Sequence, residues 1–202
     1  MKRKANVAVL VSGGGTNLQA IIDFEKQGKL ESGKLVKVIS NKEGAYALER
    51  AKNAGIESSV VVKKGKTQSE FEQDLIKELS ECKAEVIVLA GFMCILSKNF
   101  TDLYKDRIIN VHPSLIPSFC GEGFYGLRVH EAALEYGVKV TGATVHFVNE
   151  IPDGGKIIMQ KAVKIRKGDT PEVLQKRVME QAEWKILPAS LEKVCKGIVK
   201  GE

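Results

Sequence analysis

A short apolar run, Ile108-Ile109-Asn110-Val111-His112-Pro113, ends in an amide, an imidazole and a proline. Read as a strand, it puts Asn110 and His112 two apart and so on one face, and Pro113 stops the ladder just beyond them. An amide can donate a hydrogen bond to a developing oxyanion, and an imidazole can move a proton. The chain has only three histidines, so His112 stands out, although a lone histidine more often packs than reacts. A carboxylate to complete the set is Asp153, in Glu150-Ile151-Pro152-Asp153-Gly154-Gly155. Taken alone, that stretch also reads as an ordinary tight turn. Beside His112, Asp153 would orient the imidazole and raise its pKa. An amide, an imidazole and a carboxylate without an activated serine or cysteine describe direct acyl transfer between two bound molecules.

Ser12-Gly13-Gly14-Gly15-Thr16-Asn17 sits between an apolar strand and a helical pattern. Glycines there let the backbone turn sharply and approach a ligand, while the helix N-terminus offers N–H groups to an anion. A plain tight turn with a helix cap is the other reading. The Gly-Lys-Ser/Thr ending of a nucleotide P-loop is missing. The third glycine of a dinucleotide fingerprint would fall at Leu18. A single phosphate, as on a mononucleotide, suits the motif better than a dinucleotide.

These groups need a frame, and the periodicity supplies one. Strands are expected at Asn6–Val11, Leu35–Ser40, Ser58–Val62, Glu85–Ala90 and Ile108–Val111. Helices are expected between them, at Asn17–Lys26, Ala45–Ala54, Ser69–Cys82 and, capped by Ser97, Ser97–Lys105. The alternation predicts a mostly parallel, doubly wound, Rossmann-like sheet in which Glu85–Ala90, the most apolar strand, is central. After the loop Pro113–Gly126 come a helix, Leu127–Tyr136, stopped by Gly137, and two strands, Val140–Val148 and Lys156–Val163. A short turn joins those strands, so they are expected to be antiparallel. Thr170-Pro171 opens a C-terminal helix running to about Leu187, where Pro188 should break it or start another. No repeat or linker appears, so residues 1–202 read as one domain, with a mononucleotide-binding half (1–110) and a catalytic half (111–202).

Of 202 residues, 44% are hydrophobic and 28% charged, the balance of a globular protein with a sizeable core. Four scattered cysteines without metal spacing argue for free thiols and against a zinc site. No apolar run approaches membrane-spanning length, and the basic N-terminus leads into too short an apolar stretch for a signal peptide. A cytoplasmic protein without membrane or nucleic-acid partners is expected. The net charge of +6 reads either as a lysine-rich solvated surface or as an attraction for anionic ligands.

Together, Ser-Gly-Gly-Gly-Thr-Asn-Leu-Gln-Ala-Ile, Leu-Ala-Gly-Phe-Met-x-Ile-Leu-Ser, Asn-Val-His-Pro-Ser-Leu-Ile-Pro, Val-Thr-Gly-Ala-Thr-Val-His-Phe-Val and Asp-Gly-Gly resemble the phosphoribosylglycinamide formyltransferases of the folate-dependent formyltransferase family. The resemblance runs from Asn6 to about Leu191. It implies transfer of a formyl group from 10-formyltetrahydrofolate, as co-substrate and without a metal, to the amine of phosphoribosylglycinamide in purine synthesis, by a monomer or homodimer. By position, Asn110, His112 and Asp153 match the family's catalytic residues. Gly15, Thr16 and Asn17 match its phosphate loop, and Glu183 the carboxylate on the nucleotide ribose. Met93, Cys94, Ile95 and Leu96, with Asn149, Glu150, Ile151 and Asp153, match segments lining the folate pocket.

Two positions depart from the family pattern. Cys94 stands where the family commonly has arginine, and Gln68 near a position where some members have one, so positive charge facing the folate is reduced, and Lys63, Lys64 and Lys66 are candidates to replace it. The loop Ser118–Leu127 is longer and richer in glycine and aromatics than in shorter members, and His130 after it reads as structural. Related readings are a formyltetrahydrofolate hydrolase or a formyl-methionyl-tRNA synthesising enzyme, each expected to carry a further domain. From another class, a non-catalytic nucleotide-binding module would use the glycine loop. It would have no use for Asn110, His112 and Asp153 converging on one point.

Overall fold

The computed structural model describes residues 2–201. In its first half, β1 (Ala5–Val11), β2 (Gly33–Ser40), β3 (Glu57–Val60), β4 (Val86–Leu89) and β5 (Ile108–His112) alternate with α1 (Thr16–Lys26), α2 (Tyr46–Asn53), α3 (Gln68–Glu81) and α4 (Lys98–Leu103). Then come α5 (Leu127–Tyr136), β6 (Val140–Phe147), β7 (Ile157–Lys164), α6 (Pro171–Val178), a π-helical turn (Met179–Glu183) and α7 (Trp184–Lys200). One sheet contains all seven strands in the order β3-β2-β1-β4-β5-β6-β7. β1 to β5 are parallel, β6 adds antiparallel to β5, and β7 adds antiparallel to β6. The fold is the doubly wound sheet expected from the alternation, with β4 at its centre.

The central strands are apolar on both faces because both faces are covered. Val7, Val9 and Val11 of β1 join a core with Leu18, Ile21, Ala47, Leu187 and Leu191. Their neighbours Ala8 and Leu10 point the other way, into a second core with Phe71, Leu75, Leu79 and Phe100. Each large apolar side chain taken fully out of water contributes about 1.5–3 kcal/mol. The helix ends follow local chemistry. Thr67 and Glu70 form a reciprocal capping box on α3, Ser97 caps α4, and Thr170 caps α6 with Pro171 at its first position. Gly137 ends α5 in the left-handed conformation.

Pro188 breaks nothing. Helix α7 runs through it, and the interruption falls earlier, as the π-helical turn. Proline deletes one hydrogen bond and its ring crowds the carbonyl four residues back, here Trp184. Trp184 has ψ −8, against about −42 in a regular helix, which moves that carbonyl. Pro188 is also buried beside Leu187 and Leu191, so packing offsets the lost bond.

Candidate active site

Strand β5 presents Asn110 and His112 on one face, as its period of two requires. The antiparallel register sets Asn110 opposite His146 and His112 opposite Thr144 on β6. Asp153 arrives from the β6–β7 connection, which leaves β6 beside the start of β5 and folds back over the sheet. Gly154 N–H closes the turn onto the Ile151 carbonyl at 2.9 Å, with Pro152 second and Asp153 third. Asp153 has φ +56, a left-handed conformation that Asp tolerates better than most side chains. Gly155 is required by approach: a Cβ there would lie 1.7 Å from the Phe147 carbonyl oxygen.

The turn brings Asp153 Oδ2 to 3.3 Å from His112 Nδ1, while Gly121 N–H donates to the same oxygen at 2.9 Å. The other ring nitrogen, Nε2, lies 2.8 Å from the Phe119 carbonyl. Both partners of the ring are acceptors, so a neutral imidazole, with one N–H, serves only one of them. Burial nevertheless wins: His112 is 4% exposed, and its pKa is lowered by desolvation despite the opposing pull of Asp153 and Phe119. The expectation that Asp153 would raise it is corrected, because loss of water outweighs the carboxylate. Asp153 shows the reverse balance. Burial alone would raise its pKa, but His146, His112 and the Gly121 N–H together hold it below the ordinary carboxylate value.

Asn110 joins this group through His146. His146 Nδ1 donates to the Phe147 carbonyl at 2.7 Å, leaving Nε2 to accept from Asn110 Nδ2 at 3.3 Å. The same Nε2 lies 3.5 Å from Asp153 Oδ1. Asn110 has a second amide hydrogen for an oxyanion. A network fixes the loop that carries Phe119. Thr144 Oγ donates to the Ser114 carbonyl at 2.7 Å and accepts from Ile116 N–H and Gln160, and Ser114 donates to the Ser118 carbonyl.

Two cavities meet here. The larger, about 780 Å³, is lined by Asn17, Met93, His112, His130 and Glu183 among others. The smaller, about 130 Å³, is walled by Leu89, Leu96, Val148 and the residues Asn149, Glu150 and Ile151. Phe92, Cys94, Ile95, Asn110, Pro152 and Asp153 line both. The structure therefore gathers every residue matched to the catalytic and folate sets around one junction.

The glycine loop is divided. Gly15 caps α1 with φ +70, and a Cβ there would come within 2.7 Å of Ala47. Only Asn17 of the predicted phosphate residues lines the large cavity; Thr16 lies on a separate groove along α1 with Arg50 and Trp184. Asn17 Nδ2 donates to Glu183 Oε2 at 2.7 Å. Burial pushes the Glu183 carboxyl up to about 7, and the Asn17 amide offsets only part of that.

Sequence reasoning missed His146, Met179, and the backbone groups of Phe119 and Gly121. His146 was legible only through the β5–β6 register, and a backbone carbonyl such as that of Phe119 or a backbone N–H such as that of Gly121 leaves no side-chain signal. His130 is fully buried in the cavity wall, and neither ring nitrogen has a hydrogen-bond partner. Its pKa falls to about 4 through burial, with His112 adding to the effect. All three histidines of the chain thus border the junction. All four cysteines are free. Among the described residues, no group of three His, Cys, Asp or Glu side chains could hold a metal ion, and no helix is long and apolar enough to cross a membrane.

Residues 5–191 match the family model described as formyl transferase. The chain is 46% identical, over 98% of its length, to the trifunctional purine biosynthetic protein adenosine-3 of Homo sapiens, of which it spans 19%. It is 40% identical to the phosphoribosylglycinamide formyltransferase of Escherichia coli (strain K12), over 96% of this chain and 89% of that protein. Among solved structures, glycinamide ribonucleotide transformylase 1 from Symbiobacterium toebii superimposes with a TM-score of 0.89 at 37% identity, covering 96% of this chain and 89% of that one.

Proposed function

The chain belongs to the formyl transferase family, and from that premise we propose that it transfers a formyl group from 10-formyltetrahydrofolate to the amine of phosphoribosylglycinamide. The observation that carries this reading is the pairing of His112 with Asp153 at 3.3 Å, at the junction of two cavities that Asn110 also lines. Direct transfer needs two molecules to meet at one buried polar centre. The nucleotide takes the larger cavity, with its phosphate toward Gly15–Asn17 and its ribose hydroxyls donating to Glu183. The pterin takes the smaller one, between the 93–96 and 149–153 segments.

The glycinamide nitrogen attacks the formyl carbon, and the carbonyl electrons move onto oxygen, which accepts from the Asn110 amide. The proton lost by the amine is taken up through Asp153. His112 receives that proton at Nδ1 from Asp153 and delivers one from Nε2 to the folate nitrogen as the carbon–nitrogen bond to the donor breaks, which returns the ring to its neutral form. A lowered pKa makes the imidazolium a stronger acid for that step. Transfer uses the ring nitrogen that Phe119 holds, so the 113–126 loop yields it when the donor binds. The reaction is placed in the cytoplasm, where free cysteines such as these persist.

Purified protein with both substrates tests this reading. Formyl transfer to phosphoribosylglycinamide without matching release of formate supports it. Formate release alone would make the chain a hydrolase instead.

A further inference from the structure

We propose that the groove along α1 is a second nucleotide site, which takes a nucleoside 5′-phosphate and, once filled, weakens binding of the acceptor nucleotide beside it. The coupling rests on the proposed function, which puts the acceptor in the large cavity; the site itself does not. The groove encloses about 500 Å³, within the range of small-ligand pockets. It runs from Thr16, at the start of α1, to Gln27 and Lys29 beyond its end. Asn110, His112 and Asp153 do not line it.

Its walls combine charge with flat apolar surface. Arg50, Lys29 and Lys185 line it against a single acid, Asp23. Asp23 is already engaged, its Oδ1 accepting from the Gln19 amide at 2.9 Å. Among the described residues no carboxylate pairs with any of the three cations. Lys29 Nζ donates to the neutral Gln27 Oε1 at 2.8 Å. Arg50 is pinned, with Nε donating to the Gly14 carbonyl at 2.8 Å and Nη1 to Gln19 Oε1 at 3.0 Å. That leaves Nη2 for an anion. One exposed cation is ordinary, but three without carboxylate partners around one concave site attract a negative ligand. Trp184 and Phe24, both partly buried, give the same groove aromatic surface on which a base can stack. A phosphate joined to a base satisfies both kinds of wall; a bare anion or an apolar ligand satisfies one.

Only a thin partition separates the groove from the large cavity, and two pairs of sequence neighbours are split across it. Thr16 and Trp184 line the groove, while Asn17 and Glu183 line the cavity. Asn17 Nδ2 and Glu183 Oε2 meet at 2.7 Å, and Thr16 Oγ lies 3.9 Å from the sulfur of Met179, another cavity residue. A phosphate in the groove, held by Arg50, is therefore set across the same Gly14–Asn17 turn that faces the acceptor's phosphate. Two phosphates on one turn repel. Drawing Arg50 toward a ligand also pulls on the Gly14 carbonyl that it holds. The coupling is reciprocal, so each nucleotide loosens the other.

The chain has one tryptophan, Trp184, so its fluorescence reports on the groove directly. Titration of the wild type with adenosine 5′-monophosphate should give saturable quenching. Adenosine and inorganic phosphate should each bind at least about tenfold more weakly, since stacking and a charge-assisted bond each contribute about that much. Lys185→Gln should weaken the nucleotide about tenfold, and Lys185→Arg should restore it. In formyl-transfer assays the nucleotide should raise the KM for phosphoribosylglycinamide several-fold to a plateau, with kcat unchanged. That effect should fade in Lys185→Gln, whose KM without the nucleotide matches the wild type. Absence of quenching, equal binding of phosphate and nucleotide, or a titration curve unchanged by Lys185→Gln would overturn the site. A KM that rises without limit would overturn it too, because it places the nucleotide in the acceptor cavity. Quenching without any formyl transfer would leave the site standing and overturn the functional reading beneath the coupling.

Discussion

At the His112 corner, Asn110, His112, His146 and Asp153 are linked within 3.5 Å and largely shut from water. At the other end of the cleft, Met93, Ile95 and Ile151 stand more than half exposed, over the neutral side chains of Cys94 and Gln68. The two ends belong to one cleft and share a wall, but they tolerate change differently. In the buried corner each polar group is the hydrogen-bond partner of another, so removing one strands its neighbours in a medium that penalises unpaired charge. On the rim, water replaces whatever is lost, and charge can migrate from one position to an adjacent one at little cost.

The contrast breaks first at Asp153. Asp153→Asn keeps the size and removes the charge, and should lower turnover by roughly 10²-fold or more, the usual contribution of a proton-transferring group. Steady-state kinetics near the wild-type value would remove Asp153 from the mechanism.

Next come two buried groups of the large cavity whose pH effects have opposite signs. Unfolded, His130 binds a proton near pH 6.5, but in the fold only near 4. The unfolded state therefore holds more protons in that window, and His130 costs stability as pH falls through it. Glu183 is raised from 4.5 to about 7, so it costs stability as pH rises through its own window. Each effect is about 3 kcal/mol, from roughly 1.4 kcal/mol per unit, and between pH 4.5 and 6.5 they oppose one another. Denaturant melts across that range should be nearly flat in the wild type. They should fall with rising pH in His130→Leu and with falling pH in Glu183→Gln. Parallel profiles in all three proteins would refute both assignments.

A smaller effect sharpens the same comparison. Glu183→Gln should raise the nucleotide KM about tenfold, since a charged acceptor to a hydroxyl contributes roughly 1.5 kcal/mol or more. An unchanged KM would move the ribose elsewhere.

Much of this was legible in advance for identifiable reasons. Continuous apolar runs between helical repeats gave the doubly wound order, because a strand covered on both faces has no polar side. Thr170-Pro171 and Gly137 marked helix ends through local backbone chemistry. Asn110 and His112 followed from strand periodicity. Asp153 needed the family pattern, since nothing local to residue 153 reveals that its turn folds back 3.3 Å from residue 112. Thr16 lines the groove along α1 while Asn17 lines the large cavity, a division set by where the tertiary packing leaves each opening. Pro188 misled because the geometry that admits it is set by a π-helical turn, which has no sequence signature. The direction of the His112 shift was missed because burial is a property of the packed cavity, and sequence displays only the charged neighbour.

The proposed mechanism makes His112 and Asp153, 3.3 Å apart, one proton-transferring unit. A double-mutant cycle on kcat with His112→Ala, Asp153→Ala and the double variant measures this directly. If they act together, the double variant is about as slow as the slower single one. Losses that multiply independently would contradict it.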